Sequence, residues 1–461
     1  MLKSFRREPG FYHRLFLLAL PMVLQNLITT SLSFADTFMV GLLGNAEMAA
    51  VTAANVPIFI MQIVVFGFQS GLAILVSQYW GRGDVDNINR CLGVALYAVT
   101  GFTSLVALTM FLFPAQVLGL ITPNQDLIDL GLSYIQIVGF SYIFTGISSL
   151  YAGVHRSTEY PFFGTVLFTI SMCTNTFLNY VLIFGKFGAP AMGVTGAAAA
   201  TLASRVVEFV VALLYALINR RLPLQAGLVL RPGRRTLRSF MRYSLPVVCN
   251  ETLWSMGLSM LTVIMGHMAN SQDMLAAYAL IGNIDKLSTV VCFGLAAAAA
   301  VIVGKEIGEG GTADHVYSVS RTLLACSVLV GCIVTAVLLV LRPTFFQPVL
   351  FPLFDLSEGA AYAAGCMSLL YALAMPLRAF DVTNITGVLR AGGDSRVAAF
   401  IDVCPVWVAA IPLMALAALV LDAPVFVVCL TMQAEQAVKC PIGYLRFRSR
   451  RWINDITRTE I

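Results

Sequence analysis

Two carboxylates stand out because nothing of opposite charge accompanies them. Asp36 and Glu251 each lie inside a long apolar run, and each is the lone ionisable side chain in the core of its run. Burial without a partner disfavours the ionised form. A carboxyl group in that position captures a proton at neutral pH or is neutralised by Na⁺ through oxygen ligands. Either event makes a coupling site; the alternative is a carboxyl held neutral and hydrogen-bonded within the core. Asp36 follows Pro21 and Glu251 follows Pro246. A proline inside a helix removes one backbone hydrogen bond and bends the rod. Pro21 and Pro246 are therefore candidate hinges, or static kinks.

The remaining charges within apolar runs are Arg205, Glu208, Asp285, Lys286, Arg378, Asp381, Asp402, Glu435 and Lys439. Spacing predicts neutral pairs. Arg205 with Glu208 and Arg378 with Asp381 are three apart, and Glu435 with Lys439 four apart, so each pair shares a helix face. Asp285 adjoins Lys286. Asp402 is expected to meet water or Arg396.

The elements that must position these residues follow from composition. Hydrophobic residues make up 58% of 461 and charged residues only 11%, and the mean hydropathy is +0.83. Soluble chains carry about 25% charged residues, so the solvent for most of this chain is lipid. Twelve apolar runs are legible. Six span approximately Leu15 to Leu43, Val56 to Trp80, Cys91 to Ile121, Leu127 to Gly153, Pro161 to Phe184 and Gly193 to Leu217. Six more span Phe240 to Gly266, Tyr278 to Gly304, Thr322 to Leu341, Ala360 to Leu389, Val397 to Leu421 and Pro424 to Tyr444. The runs are continuous rather than alternating, which predicts helices and not a β-barrel.

Orientation follows from the basic residues. With the N-terminus inside, the inner connections hold Arg82, Arg90, Arg156, the cluster from Arg220 to Arg242, Lys305, Arg321, Arg390 and Arg396. The inner tails hold Lys3, Arg6, Arg7, Arg14, Arg446, Arg448, Arg450 and Arg451, and the outer loops only Lys186 and Arg342. Both termini are thus expected in the cytoplasm of a bacterial plasma membrane, and the first run is retained rather than cleaved.

The two halves repeat. Leu20-Pro21 recurs as Leu245-Pro246 and Gly41 as Gly266, 225 positions on; Gly67 recurs as Gly294 at 227. Gly153-Val154-His155-Arg156 recurs as Gly387-Val388-Leu389-Arg390 at 234. The fold expected is an all-α polytopic membrane protein with twelve transmembrane helices in two pseudo-symmetric six-helix bundles, a parallel repeat. Its parts are an N-lobe at 1–218, an Arg-rich linker at 219–239, a C-lobe at 240–446 and a tail at 447–461.

The stretch Phe34-Ala35-Asp36-Thr37-Phe38-Met39-Val40-Gly41 resembles the first-helix signature of the MATE (multidrug and toxic compound extrusion) transporters. Gly193 to Thr201 is similar to the sixth-helix motif, Asn250-Glu251 through Trp254 and Gly257 to the seventh, and Gly387 to Asp394 to the end of the tenth. The resemblance spans about 15 to 445. It implies efflux of organic cations in exchange for Na⁺ or H⁺. Asp36 matches the first-helix acid of an N-lobe cation site, with Asn175 and Thr201 as polar ligands and Na⁺ held between the three. Asn179 stands where relatives often carry Asp, which removes one negative charge. Glu251 matches a seventh-helix acid of the NorM-type branch, and Asp381 lies in the region of its tenth-helix acid without strict register.

Other classes are disfavoured. The ten cysteines include no C-x-x-C, and most read as small apolar residues. The four histidines, His13, His155, His267 and His315, are scattered, and no nucleophile elbow or phosphate loop occurs, so an enzyme is not expected. No soluble domain offers a nucleic-acid groove. A flippase for a lipid-linked saccharide would want unpaired mid-membrane cations, and the few here each have an acid nearby. The chain is expected to act as a monomer without a cofactor beyond its coupling ion. The 18 Met and 30 Phe suit a substrate path that adapts to lipophilic cations.

Overall fold

The computed structural model describes residues 7–458 apart from Asp355; the expected inner-tail cations Lys3 and Arg6 lie outside the described residues. Twelve helices are long and apolar enough to cross a bilayer: α1 (Gly10–Gly41), α2 (Ala46–Arg82), α3 (Val85–Leu112), α4 (Gln125–Ser157), α5 (Phe162–Phe184), α6 (Gly193–Ile218), α7 (Arg234–Gly266), α8 (Ser271–Gly308), α9 (Ala313–Leu353), α10 (Glu358–Leu389), α11 (Ser395–Val420) and α12 (Val425–Arg448). The all-α, twelve-span reading therefore holds.

Helix ends are set by local chemistry. Gly83 closes α2 with φ at 73°, a conformation that costs a side chain dearly. Asp84 then caps α3 by accepting from the Asn87 amide at 3.0 Å. Asn124, Thr312 and Ser357 cap α4, α9 and α10 in the same way. Several expected boundaries shift: α2, α8 and α9 begin earlier than the runs expected from Val56, Tyr278 and Thr322, and two ends move for a local reason. The third run ends at Leu112, because Pro114 opens a separate short helix, Pro114–Gly119. The ninth runs beyond Leu341 through a π-helical stretch, Arg342–Leu350, so Arg342 is part of a helix and not of a loop. Further π-helical stretches are Thr383–Leu389 at the end of α10, and Val406–Ala410 and Leu416–Val420 in α11. Proline precedes or enters several of them, and the wider winding absorbs the missing backbone bond.

The chain divides into two compact units, and the division does not fall in the linker. One unit comprises Leu24–Val248; the other comprises Met1–Val23 and Cys249–Thr459. Each boundary lies two residues beyond a repeat-related proline, Pro21 and Pro246. In the 24–248 unit, Val40, Ile58, Met110, Ile135, Val138 and Ala198 form a buried core, and the first part of α7 lies against α2. In the other unit the first part of α1 contributes Leu15, Leu18 and Met22 to a core with Ile302, Leu323 and Val388.

Repeat-related glycines permit both docks. A Cβ on Gly67 would stand 2.7 Å from the Val248 Cα. A Cβ on Gly294 would stand 3.2 Å from the Val23 Cα and still nearer its Cγ2. In both places one helix backbone rides directly on the next. Outward faces are apolar: Leu217 is 72% and Val408 74% exposed, which is stable only against lipid. Substituting Val for Gly67 should overpack the α2–α7 contact at a cost of about 1–3 kcal/mol. We expect a lower thermal midpoint in detergent, while Gly101→Val, with open space around its Cα, leaves it unchanged. Equal midpoints for the two variants would contradict the close approach.

Candidate functional site

In the 24–248 unit, α1, α5 and α6 bring four of the expected residues together. Asn175 and Asn179 are four apart on α5 and share a face. Asn179 is buried and donates through Nδ2 to Asp36 Oδ1 at 2.5 Å and to Asn175 Oδ1 at 3.0 Å. Asn175 in turn donates to Thr201 Oγ1 at 3.4 Å, and that hydroxyl donates to the Ala197 carbonyl at 3.0 Å. The result is a line of neutral polar groups ending on one carboxylate. Asn179 Oδ1 is buried and has no hydrogen-bond partner among the described residues. An orphaned acceptor beside a carboxylate is costly unless something visits it.

Asp36 has no ion-paired cation among the described residues. Arg205 acts on it electrostatically, but only at a distance. The Arg205 guanidinium is committed to Glu208 at 2.7 Å and to Ser171 Oγ at 3.2 Å. That pair, expected from its spacing, is close to neutral as a unit. Two tyrosines from α4 that sequence reasoning did not single out also feel Asp36, Tyr134 and Tyr142. Tyr134 donates towards Asn55 at 3.4 Å, and Tyr142 accepts from Gln62 at 2.7 Å. Nothing in their spacing marks them, because they face α2 rather than one another in sequence.

The unit holding Cys249–Thr459 is arranged differently. Glu251 is not alone: Arg390, only 2% exposed, reaches it at 2.8 Å. This corrects the expectation from sequence, which placed Arg390 in an inner connection. The π-helical end of α10 carries that residue into the unit instead. Arg390 also contacts Asp402 at 3.5 Å. Asp402 accepts from Asn250 at 2.9 Å and pairs with the buried Lys439 at 3.0 Å, so Lys439 rather than Arg396 is its cationic partner. Lys439 pairs with Glu435 at 3.2 Å, as its spacing predicts. Arg378 pairs with Asp285 and not with Asp381, and Asp285 thereby turns away from Lys286. For Asp285 an Arg–acid pair across helices prevails over its neighbour Lys286, because i, i+1 side chains point apart.

Among the described residues, the buried acid of this unit without an ion pair is therefore Asp381. It is 4% exposed, and its Oδ1 has no hydrogen-bond partner among the described residues. Lys439 acts on it electrostatically. Buried polar atoms without partners also occur on Thr383, Asn384 and Gln436. Three acids, Glu251, Asp402 and Glu435, surround two cations, Arg390 and Lys439, and Asp381 adds a further carboxyl group. Such a set has room for added positive charge. Among the described residues no cluster of three His, Cys, Asp or Glu offers a conventional metal centre. A metal ion at Asp36 would be held by one carboxylate with amide and hydroxyl oxygens, a donor set suited to a hard monovalent cation.

Comparison with known proteins agrees with this architecture. The chain is 25% identical over 406 residues to the "Probable multidrug resistance protein NorM" of Agrobacterium fabrum, covering 85% of this chain and 83% of that protein. It is 24% identical over 443 residues to the "Uncharacterized transporter YisQ" of Bacillus subtilis, covering 95% and 94%. A solved MOP superfamily transporter from Pyrococcus furiosus superposes with a TM-score of 0.84 at 17% identity, covering 95% of each chain, and so shares the fold. The MatE family model matches twice, over residues 21–181 and 246–416. The two matches begin at the repeat-related prolines Pro21 and Pro246. With most of its length in those two matches, the chain belongs to the MatE family.

Proposed function

We propose that the protein is a secondary active efflux transporter that exports lipophilic organic cations in exchange for Na⁺ or H⁺. The observation that carries this reading is the Asp36–Asn179–Asn175–Thr201 line, a membrane-embedded carboxylate with neutral oxygen and amide neighbours and no permanent counter-charge. Related proteins named as multidrug resistance proteins support the substrate class. The basic inner connections support a reading in which both termini lie in the cytoplasm of a bacterial plasma membrane. The lobes 1–218 and 240–446, joined by the linker 219–239, are the two repeats on which exchange operates, with bends at Pro21 and Pro246.

Asn179 supplies a switch at the ion site. Its Nδ2 donates to the ionised Asp36. A half-turn of the amide would present Oδ1 instead, which accepts from a protonated Asp36 or ligates Na⁺ beside it. One side chain thus serves both the loaded and the empty carboxylate. Asp381 is the second coupling acid in this reading. Glu251 tunes it through Arg390 and Asp402 and does not itself stand ready for an ion. A lipid-linked saccharide flippase is less well supported: Arg205, Arg378, Arg390 and Lys439 each have an acid within ion-pairing distance, so little free positive charge is left for a pyrophosphate.

Reconstitution into liposomes with separately imposed Na⁺ and H⁺ gradients tests the coupling, with fluorescent organic cations as substrate. Asp36→Asn should reduce gradient-driven efflux to background without lowering the thermal midpoint, since no cation loses its partner. Ion-driven efflux at the normal rate in that variant would sink the proposal. Glu251→Gln should behave oppositely in stability, because it deprives buried Arg390 of its 2.8 Å partner. We expect a loss of about 1–3 kcal/mol, read as a lower midpoint. Asn179→Asp restores a second carboxylate beside the first, and like charges at one site bind a cation more tightly. The ion concentration for half-maximal efflux should fall severalfold; an unchanged value would remove Asn179 from the ion site.

A further inference from the structure

The start of α7 is electrostatically inverted. A helix N-terminus carries the positive end of the macrodipole and favours acidic side chains. Here the first turn contains no acid. Arg231 precedes it, and Arg234, Arg235, Arg238 and Arg242 follow, all five exposed. Arg234, Arg238 and Arg242 are four apart and make one stripe. No ion pair engages any of the five among the described residues. Arg242 lies over the Tyr243 ring at 5.9 Å, which leaves its charge unneutralised.

The platform is held in place. The short helix Ala226–Leu230 docks on α3 through Gln225, whose amide donates to Asn89 Oδ1 at 3.1 Å, while Tyr97 donates to the Leu230 carbonyl at 3.0 Å. Asp86, the acid nearest in this connection, is occupied by Gln225 at 2.8 Å. Exposed Leu230 (63%) and Leu237 (48%) flank the arginines. Charge and apolar surface thus lie side by side at the end of a membrane-crossing helix, where headgroups meet acyl chains.

We propose that the segment Arg231–Arg242 is a binding site for anionic phospholipid. The phosphate would sit against the arginines and the free amides at the start of α7, with acyl carbons along Leu230 and Leu237. The inference adds a ligand to the protein and does not depend on what it exports; it rests on the inward orientation proposed above only for the leaflet concerned.

Native mass spectrometry of the full chain in detergent tests it, titrating phosphatidylglycerol against phosphatidylcholine. Wild type should take up phosphatidylglycerol at lower concentration than phosphatidylcholine. The triple variant Arg234→Gln, Arg235→Gln, Arg238→Gln should need about tenfold or more phosphatidylglycerol for the same occupancy, since each basic residue near a headgroup layer contributes roughly a factor of five. Its thermal midpoint without added lipid should match wild type, because the three side chains are exposed. Unchanged phosphatidylglycerol uptake by the triple variant would overturn the proposal. So would an equal loss on neutralising Arg448 and Arg451, which are also exposed but lie at the end of α12. Transport activity enters none of these readouts, so failure of the export reading leaves the test intact.

Discussion

A charge within hydrocarbon must be neutralised, and the ways this chain does so organise the rest of it. In the unit holding Cys249–Thr459, four helices contribute to one connected set: Glu251 and Asn250 from α7, Arg390 from the end of α10, Asp402 from α11, and Glu435 and Lys439 from α12, beside the Arg378–Asp285 pair that ties α10 to α8. Such a set fixes register and rotation of its helices. A helix turned by one residue would strand Arg390 or Lys439, each 2% exposed, without an acid. In the 24–248 unit Arg205 pairs with Glu208, and Asp36 is left with amides. The two repeats share a backbone plan but differ in electrostatic design.

That difference bears on how much could be read from sequence. Span count, helix type and the repeat were legible because they rest on apolar run length and on recurring Gly and Pro. Pairs at helical spacing, such as Arg205–Glu208 and Glu435–Lys439, were legible for the same local reason. Pairs between helices were not. Glu251 looked solitary because its partner, Arg390, is 139 residues away and follows a π-helical turn that no simple pattern announces. Arg378 has an acid three residues on and chooses one 93 residues back. The Asp36 constellation was reached by resemblance, whereas Tyr134 and Tyr142 carry no signal of their own.

The π-helical stretches belong to the same account. Thr383–Leu389 lies between Asp381 and Arg390, and Val406–Ala410 follows Asp402 and Pro405. A π turn holds an extra residue and rotates what comes after it. Local widening of the winding at the end of α10 therefore aims Arg390, while the straight part of α10 packs conventionally against α8 and α9.

The division of the chain at Val23 and Val248 has a consequence for biogenesis. Neither repeat encodes a finished body. As the ribosome proceeds, the first body closes only when synthesis has entered the second repeat and delivered the opening turns of α7. The earliest turns of the nascent chain, meanwhile, wait for partners made last. Insertion order and assembly order are thereby uncoupled, and an ancestral single-repeat polypeptide would have completed itself only by trading its leading segment with a sister chain.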